Sequence, residues 1–179
     1  MLPSGHIAAG ILLGARWSRR TGEHPGVVIA GAVAGTCLPD ADLLVPRLLG
    51  RLGVEHELRS GQHHRWATHT PLFWGVIAFS ARRLAGRSSF PGWAPEAANL
   101  LSAGVAVHLV QDSVANTVAL LWPVRRREYG LGLDRLPGVT DHVEYTRRYL
   151  SSPAGRLEGV LVLAAVVVGW RHLVKRRLQ

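Results

Sequence analysis

The sequence predicts an all-α protein: a compact bundle of about five to six helices, several apolar enough to be membrane-embedded or membrane-associated. Three observations carry that expectation. The apolar runs are rich in Ala, Leu, Gly and Val and lack the period-2 alternation of strands. Apolar residues make up 47 % of the chain and charged residues 18 %, against roughly 25 % charged in an average soluble domain. Mean hydropathy is +0.13, high for a soluble protein and low for a chain made wholly of spanning helices. The 179 residues suit one domain with a sizeable core.

The elements are read in order. A first helix covers about 4–17, with Ser4 as its expected cap. A second covers about 26–38, "GVVIAGAVAGTCL", whose three glycines allow close helix packing. Pro39 ends it, because the residue before a proline disfavours α geometry. Residues 46–65 read as a polar loop holding at most one short helix. The third helix, about 71–85, starts with Thr70 as N-cap and Pro71 at the first helical position. The Gly/Pro/Ser stretch 86–95 is a turn region. A fourth helix, about 96–121, is the longest, and Pro123 ends it. "TDHVEYTRRYL" reads as a short surface helix capped by Thr140 or Asp141. A last apolar helix covers 157–174. The fourth and last helices approach the ~20 residues a membrane span needs. The first three are shorter, and suit tilted, re-entrant or core helices.

The net charge is +9 and the isoelectric point about 11.3. Lys175 is the only lysine; the other basic residues are arginines. They cluster at the ends of apolar segments: Arg19–Arg20, Arg82–Arg83, Arg125–Arg127, Arg147–Arg148 and Arg176–Arg177. That is where membrane-flanking charge sits, and it points to anionic lipid headgroups as partners. Nucleic acid is disfavoured, because no aromatic stacking motif or zinc-finger spacing accompanies the charge. The basic tail after the last helix favours a cytoplasmic C-terminus. Cys37 is the sole cysteine, so an internal disulfide is excluded. "HIAAGILLGA" is short for a cleaved signal and lacks a positive n-region, so residue 1 is read as part of the mature protein.

Chemistry is carried by polar residues that interrupt apolar sequence. His6 opens the first helix, Asp40 and Asp42 lie in "LPDAD", and His64, Arg65 and His69 lie in "HHRWATHTP". His108 and Asp112 sit mid-helix in "VHLVQDS". Positions i and i+4 share a helix face, so His108 and Asp112 project together from an apolar rod. An ionisable pair there is a functional candidate, and also suits a buried His–Asp bond between helices. Asp40 alone suits the N-cap of a helix over 41–50. His64 and His69 alone suit a solvated loop. Jointly, imidazole and carboxylate groups from four segments suit Zn²⁺, Mn²⁺ or Fe, and Asp residues can bridge two ions. No cysteine takes part, which excludes a closed Cys-type zinc site. His63 is a bystander, and His24, His56 and His172 are expected at the surface.

The order "GH" at 5–6, "LPDAD" at 38–42, "HRWATHT" at 64–70 and "HLVQDS" with "LLWP" over 108–123 resembles the YdjM family of inner-membrane-associated, metal-dependent hydrolases. The resemblance covers about residues 5–125. Carried over by position, it implies His6, Asp40, His64, His69, His108 and Asp112 as metal ligands, with Asp42 as a further candidate. Arg65 and Thr68 become supporting polar residues. Trp66 stands where the family more often has glycine, Thr70 where it has serine, and "SVANTVA" where it has a Thr/Gly turn. A fainter similarity in ligand order to zinc-dependent phospholipase C suggests phosphoesters as substrates. The chain is then one domain over 1–179: a metal-site core at 5–125, a basic loop and surface helix at 126–156, and the apolar helix 157–174.

The implied function is a hydrolase of the bacterial-type inner membrane that cleaves a phosphoester or lipid-like substrate with metal-activated water. One or two divalent ions, Zn²⁺ before Mn²⁺ or Fe, would serve as cofactor. Asp42 or Asp112 would orient the water or act as base, and Arg65 would stabilise an anionic transition state. The alternative is a non-enzymatic membrane protein whose His/Asp cluster is structural and whose arginine-rich loops bind a partner protein.

Overall fold

The computed structural model describes residues 1–51, 64–85, 93–134, 136 and 141–177. Among them the architecture is all-helical, with one isolated β-bridge between Val118 and Tyr129. The helices are α1 (Pro3–Thr21), α2 (Pro25–Cys37), α3 (Leu44–Arg51), α4 (Pro71–Ala85), α5 (Ala94–Ala115), α6 (His142–Ser151) and α7 (Pro153–Arg177). Short 3-10 turns at Pro39–Leu43 and Ala67–His69 precede α3 and α4. α2 packs between α1 and α5, α7 lies against α1, and α4 lies against α5.

Glycine sets the closeness of these contacts. A Cβ on Gly10 would stand 2.6 Å from Val33 Cα, and one on Gly14 2.5 Å from Ile29 Cα, so α1 and α2 touch backbone to backbone. Gly35 of α2 meets Gly104 of α5 in the same way. Small residues at helix crossings allow such approach. Val28, Ala32 and Leu100 fill the core beside them, with Leu13 and Trp17 packed on it. A second cluster of Ala115, Tyr149 and Ala154 joins the end of α5 to α6 and α7.

The caps differ in part from expectation. Thr70 Oγ1 accepts from Phe73 N–H at 3.3 Å at the start of α4, and Asp141 accepts from Glu144 N–H at 2.7 Å at the start of α6. Ser4, however, lies inside α1 and its hydroxyl donates to Glu158 Oε1 at 2.5 Å. Glu158, buried on α7, also accepts from Leu2 N–H (3.0 Å) and Tyr149 O–H (2.6 Å). A carboxylate from a distant helix thus does the work expected of Ser4.

α5 stops at Ala115 rather than near Pro123. Val118 exchanges backbone hydrogen bonds with Tyr129, and Ala119 N–H donates to His64 O at 3.1 Å. The chain leaves the helix to make these pairings, although its composition would continue it. α7 is longer than expected at both ends. Among the described residues it is the one helix long and apolar enough to cross a membrane, over Pro153–Arg171. α5 does not qualify, because Glu96, Asn99, His108, Gln111 and Asp112 break its hydropathy. α2 is a shorter apolar helix. Exposed Leu72, Val76 and Phe79 on α4 and Val160, Leu163, Val166 and Trp170 on α7 leave much apolar side chain outside the bundle.

Candidate metal centre

The four polar interruptions meet at one place. α1 supplies His6, the Pro39–Leu43 turn Asp40, the stretch ahead of α4 His64 and His69, and α5 His108 with Asp112. The "LPDAD" turn does not cap a helix. It runs straight into α3, which starts at Leu44, so neither aspartate stands at the N-cap of that helix. One ligand atom each from Asp40, His69, His108 and Asp112 lies within 4.8 Å of the others. His6 Nε2 is 3.7 Å from Asp40 Oδ2 and 3.4 Å from Asp112 Oδ1. His64 Nε2 is 3.3 Å from Asp112 Oδ2.

All four rings present Nε2 to the centre, and three are held from behind at Nδ1. His6 Nδ1 meets Gln111 Oε1 at 3.1 Å, while Gln111 Nε2–H donates to Gly5 O at 3.0 Å. That pairing turns the amide oxygen to the ring, so Nδ1 carries the proton. His108 Nδ1 donates to Thr36 O at 2.7 Å. His69 Nδ1 faces Asp42 Oδ2 at 3.4 Å, and Thr68 O–H donates to the same oxygen. Partners at the remote nitrogen are how metal-binding histidines are oriented. Asp42 is therefore the support of His69, one layer out from the centre. Gln111 and the Thr36 carbonyl were not singled out by sequence. A buried glutamine one residue before Asp112 was the available sign of the first, and a backbone oxygen leaves none.

The centre is closed on most sides. His6, His69, His108 and Asp112 are fully buried, while Asp40 is 23 % and His64 16 % exposed. Those two mark where solvent enters. Arg65 turns away: its side chain is 63 % exposed and paired with Glu128, which also accepts from Thr117 O–H at 2.7 Å. Trp66 opens the 3-10 turn, its carbonyl accepting from His69 N–H at 3.0 Å. His24 is exposed as expected. His56 and His63, and the side chain of His172, lie outside the described residues.

A family model described as YdjM inner membrane protein matches residues 1–178. The chain belongs to the YdjM family. Comparison with curated proteins and with solved structures gives no match. The family match spans nearly the whole chain and agrees with α7 being long and apolar enough to cross a membrane.

In this YdjM-family chain the donor set fits a divalent cation. Buried His6 Nε2 and Asp112 Oδ2 face the centre without a hydrogen bond, an arrangement that is costly unless a positive charge lies between them. Nitrogen and carboxylate donors together suit Zn²⁺, Mn²⁺ or Fe. Without metal, protons on imidazole supply part of that charge. Burial opposes ionisation of His69, but Asp40 and Asp42 outweigh it and raise its pKa to about 9. Burial also works against ionised Asp40, yet His69, His108 and His6 hold its pKa below the usual value. The raised His69 pKa means its charge stabilises the metal-free fold at neutral pH, and that contribution fades as pH rises through about 9. A cation must displace this proton. Metal affinity is thus expected to weaken about tenfold per pH unit below 9, with roughly one proton released on binding. Calorimetry in buffers of different ionisation enthalpy checks this. Identical heats in all buffers would contradict it.

Proposed function

We propose that the protein is a metal-dependent hydrolase of the bacterial inner membrane, cleaving a phosphoester of a lipid-like substrate. The observation that carries this reading is the convergence of four imidazole Nε2 atoms and two carboxylates on a centre open at Asp40 and His64. Catalytic metal sites keep an open position, whereas structural ones close. A bound ion there would supply Lewis acidity and acidify a coordinated water.

The chain's own groups have distinct parts. Gln111, Thr36 and Asp42 fix the rings of His6, His108 and His69. Asp112 touches every imidazole of the centre. Arg65 would meet an anionic ester by exchanging Glu128 for it, as guanidinium suits phosphoryl oxygens. The arginine clusters ending α1 and α4 would hold anionic headgroups. Basic residues at the end of α7 favour a cytoplasmic C-terminus.

The test uses the full chain in detergent, stripped with chelator and reloaded with Zn²⁺ or Mn²⁺, on a phosphodiester and a phospholipid probe. Hydrolysis is expected only after reloading. Arg65→Ala is expected to lower turnover only a few-fold, because its guanidinium is exposed and paired with Glu128 rather than held at the centre, with metal content unchanged. Metal uptake with no hydrolysis of any phosphoester would favour a structural cluster, with the arginine-rich loops docking a partner protein.

A further inference from the structure

The two carboxylates of the centre do not address one point. Asp40 turns Oδ2 to His6 (3.7 Å) and Oδ1 to His69 (3.4 Å) and His108 (3.8 Å). Asp112 turns Oδ1 to His6 (3.4 Å), where the Met1 ammonium also donates to it (2.9 Å), and Oδ2 to His108 (3.0 Å), His64 (3.3 Å) and His69 (3.6 Å). Both residues divide their oxygens between the same two groups of rings. We infer that Asp40 and Asp112 are bridging ligands for two divalent cations, one on the His6 side and one on the side of His69 and His108. This rests on the reading of the cluster as a metal centre and assigns the number of ions and the division of ligands within it.

Three further observations agree. The rings of His6 and His108 are stacked at 4.1 Å and 23°, with Nε2 atoms addressing different oxygens of Asp112. Stacked donors at that spacing match the ~3.5–4 Å between ions in two-metal sites. Of the three buried side-chain atoms lacking a hydrogen bond among the described residues, Asp42 Oδ1 lies outside the two groups, while His6 Nε2 falls with the first and Asp112 Oδ2 with the second. Finally, Gln111 holds the His6 ring at Nδ1 so that Nε2 is aimed at Asp40 Oδ2 and Asp112 Oδ1, one oxygen from each carboxylate.

The experiment strips the detergent-solubilised full chain and titrates it with Mn²⁺, reading metal content by elemental analysis and exchange coupling by electron paramagnetic resonance. Two ions per chain with a coupled spectrum are expected. His6→Ala should retain one ion and lose the coupling. Gln111→Leu removes no ligand, so it tests the same side if His6→Ala misfolds; it should weaken one ion about 10- to 100-fold and leave the other unchanged. One uncoupled ion in the unaltered chain, or two ions retained in His6→Ala, overturns the two-ion assignment alone. Absence of any bound metal overturns both this assignment and the reading on which it rests.

Discussion

Asp112→Ala is expected to empty the centre of metal and to destabilise the metal-free fold by about 3–5 kcal/mol. The carboxylate lies within 3.0–3.6 Å of Nε2 on His108, His64, His6 and His69. Removing it leaves buried imidazoles without their common counter-charge. Against a total stability of about 5–15 kcal/mol, that loss lowers the melting temperature markedly. Asp112→Asn keeps the shape and should fold better, yet still lose metal. Thermal unfolding with and without chelator, beside elemental analysis, reads both effects. Asp112→Ala with full metal content would remove this residue from the centre.

The residues of the cluster were legible because His6, Asp40, His108 and Asp112 interrupt apolar sequence, where unpaired polar groups are rarely tolerated, and His64 and His69 stand in one His-rich stretch. Once His6, Asp40, His64, His69, His108 and Asp112 are seen together, shared metal chemistry explains all six better than six local reasons. Arg65 shows the limit of that logic. It stands next to a ligand in sequence, but at a turn consecutive side chains diverge, and its side chain reaches Glu128 instead. The end of α5 escaped for another reason. "SVANTVALL" has helical composition, and long-range backbone pairings, Val118 with Tyr129 and Ala119 with His64, take it out of the helix. Capping of α1 by Glu158 depends on a residue at the far end of the chain, beyond any local pattern.

Gly10→Val should separate α1 from α2 and take His6 away from the centre. A Cβ at position 10 would meet Val33 Cα at 2.6 Å and Thr36 Oγ1 at 2.7 Å. Backbone cannot yield as a side-chain tip can, so the helices must part. Overpacking of this kind costs about 1–3 kcal/mol. The functional cost is larger, because α1 carries His6, while α2 leads into Asp40 and lends the Thr36 carbonyl to His108. Metal affinity is expected to fall at least about 10-fold, as when a ligand's orientation is lost. Gly75→Ala on α4 is the control, since nothing lies within 4 Å of its Cβ position. It should be neutral or mildly stabilising by about 0.5–1 kcal/mol, with metal binding intact. Equal metal affinity in Gly10→Val and the unaltered chain would show that the α1–α2 spacing does not govern the centre.

Glu158 has a consequence for where chemistry can happen. It stands in the opening turns of α7, roughly 8 Å along the axis from Pro153, and it grips Leu2 and Ser4, immediately ahead of His6. Set in a bilayer, α7 would hold the candidate metal centre near one leaflet's boundary. A reactant dissolved in that leaflet would arrive by lateral diffusion in two dimensions, already concentrated and already oriented. A soluble ester of equal reactivity would have to find the same centre from three.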